Sequence, residues 1–111
     1  MGIAIRHAEA SDDGRVLAMV DEWWGGRSMA AMLAKLFFVH FGDTSFVAAA
    51  DGELAGFLCG FRSQTFADGA DVHVVGVDMG RRAAGLGRAL YERFYDGAGR
   101  SRVLLVRRLA C

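Results

Sequence analysis

The sequence contains no proline and a single lysine, Lys35. Loops commonly use proline to preset a turn, so these loops must close by other chemistry. Twelve of the 13 basic residues are arginine, a bias we ascribe to coding composition and not to mechanism. Thirteen acidic residues balance them, and a formal net charge of zero argues against a generic nucleic-acid binder. Only two cysteines occur, Cys59 and Cys111, too far apart for metal-ligand spacing or a disulfide framework. Cys59 sits in an apolar stretch and reads as a buried free thiol. No metal is expected. There is no apolar run of membrane-spanning length and no signal peptide. The expected location is the cytoplasm, with no membrane partner.

Apolar residues make up 53% of the 111-residue chain, too many for disorder and enough for one real core. One domain over residues 1–111 is expected, without repeats or linkers. Ile3 to Ala8 alternates as a first strand, with His7 a polar strand residue. Ser11 is placed to cap a helix, and Asp12 and Asp13 suit its first turn. Val16, Leu17, Val20, Trp23 and Trp24 give that helix an apolar face, ended by Gly25-Gly26. Ser28 opens a second helix to about His40, carrying Met32, Leu33, Leu36 and Phe37. Thr44 to Ala50 is a strand, Asp51-Gly52 is a hairpin turn, and Leu54 to about Gln64 is the returning strand. Gly56 and Gly60 are weak spots within it. A turn-rich connector runs from Phe66 to Ala70, and Ser101 to Arg107 forms a last strand.

The stretch from Asp71 to Asp96 organises the rest. It reads as a strand, an arginine-rich loop and a helix. Strict alternation puts Val72, Val74 and Gly76 on one side and His73, Val75 and Val77 on the other. Gly76 marks a bulge or a close backbone approach. Leu86, Leu90 and Phe94, four apart, form the buried stripe of a helix stopped by Gly97 and Gly99. The helix start offers unpaired N–H groups, Gly85 and Gly87 leave them uncovered, and Arg81, Arg82 and Arg88 add charge. Such a loop either cradles a diphosphate or is an ordinary connection with solvated arginines.

Arg82-Ala83-Ala84-Gly85-Leu86-Gly87 fits the pattern R/Q-x-x-G-x-G/A, here following VVGVDM and preceding RALYERF. In that setting the chain resembles the GNAT superfamily of acyl-CoA N-acyltransferases. Met79 stands where members often have proline, and Ala83 where they often have glycine; neither removes a needed N–H. The resemblance agrees with what the order of elements itself gives, an α/β chain of the α+β type. Its sheet is mixed and mostly antiparallel, flanked by helices, in the order β-α-α-β-β-β-α-β, with the last strand parallel to the strand before the loop. It also implies C-terminal incompleteness, since members continue through another helix and further strands. A tyrosine on that later helix, which often protonates the thiolate, has no counterpart here. The ending RRLAC departs from the usual pattern, and truncation or a frame change would explain it.

The same resemblance implies acetyl-CoA as co-substrate and a small-molecule or peptide amine as acceptor. Val75, Gly76 and Val77 match the strand that pairs with the pantetheine arm. Arg82, Ala83, Ala84, Gly85, Leu86, Gly87 and Arg88 match the diphosphate cradle. His73 is the first candidate for general base, or else a histidine satisfied within the sheet. Asp78 and Glu92 are weaker candidates. Trp23, Trp24 and Phe37 either pack in the core or wall an acceptor pocket. A last strand with an open edge leads us to expect a homo-oligomer. The competing expectations are an inactive acyl-CoA-binding domain and a purely structural, oligomerising one.

Overall fold

The computed structural model describes residues 3–23, 35–66, 69–78, 85–98 and 103–106. Five strands form one sheet: β1 (Ile3–His7), β2 (Phe46–Ala50), β3 (Glu53–Arg62), β4 (Gly69–Val77) and β5 (Val103–Val106). They lie in sequence order. All neighbours are antiparallel except β4 and β5, which are parallel. Helices α1 (Asp12–Trp23) and α2 (Leu36–Val39) precede β2, and α3 (Leu86–Ala98) joins β4 to β5. This is the expected α+β order. Ser28, Met32 and Leu33, assigned to the second helix, lie outside the described residues. Gly97 does not stop α3, which runs one residue past it.

Asp51-Gly52 makes the β2–β3 turn with φ of 54° and 83°, the pair of positive angles that a two-residue hairpin with right-twisted strands requires. A short 3₁₀ turn over Gly42–Thr44 leads into β2. The ladder does not end cleanly there. Thr44 Oγ1 donates to the Gly60 carbonyl at 2.6 Å, and Ser45 Oγ accepts from the Gly60 N–H at 3.2 Å. Both hydroxyls are buried and stand in for strand backbone.

The sheet is buried on both faces. Val16, Phe37, Phe38, Val47, Phe57, Cys59 and Val74 pack on the side of α1 and α2. Phe46, Leu58, Val72, Val75, Val77, Leu86, Leu90 and Phe94 pack on the side of α3. Alternation along β4 therefore breaks between Val72 and Val75. The pairing shows why: Cys59 lies opposite Val74 and Gly60 opposite Val72, which leaves His73 as an extra, bulged residue. The expected bulge at Gly76 is absent, since Gly76 pairs in register with Phe57. A second bulge falls at Ala55, between Gly56 opposite Ala48 and Leu54 opposite Ala49. Cys59 is fully buried, and burial pushes its thiol well up, so it is an inert core residue.

The two glycines of β3 are the seat of α3. A Cβ on Gly60 would overlap Phe94 Cε1 and lie 3.0 Å from the Asp71 carbonyl oxygen. A Cβ on Gly56 would lie 3.1 Å from the Gly76 carbonyl oxygen and 3.3 Å from Leu86 Cδ2. Their bare backbone lets the stripe Leu86, Leu90 and Phe94 settle against the sheet.

On the other side, α1 is tied to β1 by Asp12. Its carboxylate accepts two hydrogen bonds from Arg6, both 2.9 Å, and one from the Glu9 N–H at 2.8 Å. Asp12 is 1% exposed. Ser11, read as the cap, sits in the turn before the helix, but Asp12 is the group that binds this turn. Burial alone pushes the Asp12 carboxyl up. The Arg6 hydrogen bonds, the Glu9 N–H and the Arg6 and Arg15 charges outweigh it, and the net direction is down.

Three outcomes follow from these contacts. Gly60→Ala should lower the unfolding free energy in urea by about 2 kcal/mol, because the added methyl overpacks against Phe94. Gly14→Ala, on the exposed side of α1 with nothing within 4 Å, should leave stability unchanged or raise it by up to ~1 kcal/mol. The depressed folded pKa of Asp12 means that its stabilisation is present above the ordinary aspartate value and is lost as pH falls through the folded value. Asp12→Asn should therefore cost about 2 kcal/mol at pH 7 and flatten the acid limb of stability against pH.

Candidate active site at the carboxyl end of β4

Strand β4 pairs with β3 along nearly its whole length. With β5 it pairs only from Gly69 to Val72. Among the described residues, then, the β5 pairing reaches no further along β4 than Val72. Val75, Gly76 and Val77 all fall beyond it and are buried. Val75 and Val77 point to α3.

The start of α3 lies beside that stretch. Gly85 has φ of 76°, and among the described residues, its chain neighbours aside, no atom lies within 4 Å of where its Cβ would be. The first helical hydrogen bond runs from the Ala89 N–H to the Gly85 carbonyl at 3.1 Å. The N–H groups of Leu86, Gly87 and Arg88 thus precede the helical ladder and have no acceptor within the helix. Leu86 is buried under them and anchors the turn, while Arg88 is exposed. A Cβ on Gly87 would meet only Val77 Cγ2, at 3.9 Å. Among the described residues, these features leave room at a positive helix end, which suits an anion. Arg82, Ala83 and Ala84, the rest of the expected cradle, lie outside the described residues.

His73 is not part of this group. The bulge turns its ring to the α2 face, where it stacks on Phe37 with centroids 4.9 Å apart and planes 9° from parallel. Phe37 is itself buried and also meets Phe41 and Phe61. It packs in the core on that face. Trp24 lies outside the described residues. Glu92 is on the exposed surface of α3.

A cleft of about 380 Å³ opens at the same end of β4, on the α1 side. Arg15, Ala18 and Met19 of α1 line it, with Glu53 and Leu54 of β3 and with Asp78. Asp78 is held there by its N–H, which donates to the carbonyl of the bulged Ala55 at 2.9 Å. The sequence singles out Asp78 as a weak candidate base but not Arg15 or Glu53. One signal was available for Glu53: the Asp51-Gly52 hairpin brings the start of β3 to the end where an antiparallel β4 must finish. Among the described residues no three His, Cys, Asp or Glu side chains converge as a metal site, and no helix is long and apolar enough to cross a membrane.

The fold is shared with solved acetyltransferases. Diaminobutyrate acetyltransferase EctA from Paenibacillus lautus, solved with L-2,4-diaminobutyric acid and coenzyme A, is 22% identical with a TM-score of 0.77. The match covers 95% of this chain and 64% of that one, so the chain spans a little under two thirds of that enzyme's length. Ard1 from Thermoplasma volcanium is 22% identical over 97% of this chain and 71% of its own, with a TM-score of 0.71. The ribosomal-protein-S18-alanine N-acetyltransferase from Escherichia coli is 21% identical over 95% of this chain and 66% of its own, with a TM-score of 0.65. No curated protein sequence matches this chain. The family model for the Acetyltransferase (GNAT) family matches residues 15–107, from the first helix through the last strand, and the chain belongs to that family.

Proposed function

We propose that the protein transfers an acetyl group from acetyl-CoA to the primary amine of a small-molecule or peptide acceptor. The observation that carries this reading is that the described part of β5 pairs with β4 only as far as Val72, while β4 runs on to Val77 beside the start of α3. An extended, amide-bearing arm fits along Val75–Val77 by adding hydrogen bonds where a strand would otherwise pair. A diphosphate fits at the end of that path, on the N–H groups of Leu86, Gly87 and Arg88, with Gly85 leaving room. Arg82, Ala83 and Ala84 complete the cradle in this reading, and Arg82 and Arg88 add charge.

The chemistry asks little of covalent catalysis. An ammonium acceptor loses one proton through water to a base, for which His73 is proposed, and the neutral nitrogen attacks the thioester carbonyl. A C–N bond forms, and the oxyanion is stabilised by backbone N–H near Val75 or Val77. Collapse breaks the C–S bond and a second nitrogen proton is lost, giving an amide, coenzyme A and one released proton. Most of the acceleration in this reading comes from holding donor and acceptor together. Acetyl-CoA is a cytoplasmic metabolite, so the reading carries a cytoplasmic location with it. We also propose a homo-oligomer assembled through β5, the outermost described strand, because an unpaired edge invites a second copy.

Titration calorimetry with acetyl-CoA tests the donor site. The folded parent should bind saturably, and Gly85→Asp, checked for folding by circular dichroism, should bind at least tenfold more weakly because its carboxylate repels the diphosphate. With an amine found by screening for thiol release, His73→Gln should lower kcat about 100-fold with donor affinity unchanged. Binding without turnover on any amine would reduce the protein to an acyl-CoA-binding domain, and no binding would end the reading. For the assembly, light scattering should give a mass of at least two chains. A monodisperse monomer at working concentration would refute it.

A further inference from the structure

We propose that Arg6 and Arg93 close the β1 edge of the sheet to strand addition, so that a second copy of this chain joins only at the other edge. The closure rests on the contacts of β1. That the other edge associates rests on the oligomer reading above, and the test separates the two.

Strand β1 lies at one end of the strand order. Its register with β2 fixes which of its backbone groups look outward. The Ala8 N–H donates to the Ser45 carbonyl at 2.9 Å, one step past His7 opposite Phe46. Ala8, Arg6 and Ala4 are therefore the positions that exchange hydrogen bonds with β2. Ile3, Ile5 and His7 fall between them and turn their N–H and C=O groups away from β2. Such a row is a template on which another strand can pair.

Two guanidinium groups occupy this row, one from each side of the sheet. Arg93 of α3 crosses the buried ring of Phe46, 5.5 Å from its centroid, and its Nη1 donates to the Ile5 carbonyl at 3.0 Å. Phe46 and Ile5 both pack on the α3 side. Arg6 is held from the α1 side by Asp12, and its Nη1 also donates to the His7 carbonyl at 3.1 Å. An incoming strand would have to place its N–H groups where these guanidinium groups lie and displace charge-assisted bonds. A second β1 pairing about a two-fold axis would also bring the same arginines face to face, and like charges across a strand pair repel.

The protection has to be local. The chain carries a formal net charge of zero, so no overall repulsion keeps copies apart. Strand β5, at the other end of the sheet, reads Val103-Leu104-Leu105-Val106 and carries no charged residue. With β1 shut, two-fold pairing through β5 stops at two copies. With both edges open, pairing would run on into an open-ended array.

The test is light scattering of the full chain across a concentration series, with Arg93→Ser and Arg93→Met beside the parent. Serine removes both the donors and the reach. Methionine keeps an apolar stem over Phe46 without a donor. Arg93 is exposed, so both variants should match the parent by circular dichroism. Each is expected to reach at least twice the parent's mass as concentration rises, whatever the parent's own mass. Amide exchange at Ile5 and His7 should then slow about tenfold, since those N–H groups face the edge. The parent's mass in both variants would overturn the proposal. So would association of the methionine variant alone, which would be the work of an added apolar side chain. Association that leaves the Ile5 and His7 amides unprotected would overturn it too. A monomeric parent whose variants associate in the expected pattern would uphold the closure of β1 and refute assembly through β5, so the two readings fail separately.

Discussion

Helix α3 reaches the sheet only because β3 carries no side chain at Gly56 and Gly60, and much of the molecule follows from that contact. Leu86 and Leu90 lie over Gly56, and Phe94 lies over Gly60. The helix therefore runs along the direction of β3 and against that of β4, which is how a crossover returns the chain to a parallel strand. Close seating also fixes where α3 begins. Buried Leu86 sets the height of the first turn above Val77, and with it the place of the N–H groups that precede the helical ladder. A bulkier β3 would push the helix outward and carry those donors away from the end of β4. Each glycine weakens the strand that holds it, by roughly 0.5–1 kcal/mol relative to alanine. Burial of two leucines and a phenylalanine, at about 1.5–3 kcal/mol each, outweighs that cost.

The two bulges do the rest of the positioning. The extra residue at His73 reverses the alternation of β4, so Val75 and Val77 turn to α3 and His73 joins Val74 on the α2 side. The extra residue at Ala55 supplies the carbonyl that receives the Asp78 N–H. Gly60 sits opposite the first bulge, and its backbone is satisfied by the Ser45 and Thr44 hydroxyls. Those hydroxyls keep a buried irregularity in the ladder from leaving unpaired polar groups. One face of β4 thus carries the helix start, and the other carries His73 and the cleft.

Element order, the Asp51-Gly52 hairpin, the Leu86–Leu90–Phe94 stripe and the parallel last strand were legible in the sequence. Each depends on a local period or on turn chemistry that a few neighbouring residues determine. The bulges were not legible. A period of two says which residues alternate but not where one is skipped, so Gly76 drew attention that belonged to His73. The glycines of β3 were legible only as weak spots, because their use depends on a helix some thirty residues later. Asp12 looked like one of two acids favouring a helix start, since its partner Arg6 lies on the preceding strand. The cleft was hidden for the same reason. Arg15, Glu53 and Asp78 are far apart in the chain and share no motif.

On the proposed reading, strand β4 also couples stability to ligand. Backbone N–H and C=O groups along a buried strand must find partners, and the described part of β5 supplies them only as far as Val72. On the proposed reading the donor's arm lies along β4 beyond that point. Donor binding would then stabilise the fold by mass action as well as position the thioester. Leu86, Leu90 and Phe94 seat α3 on Gly56 and Gly60, and that contact is what keeps the start of the helix, where the diphosphate is proposed to lie, beside the end of β4.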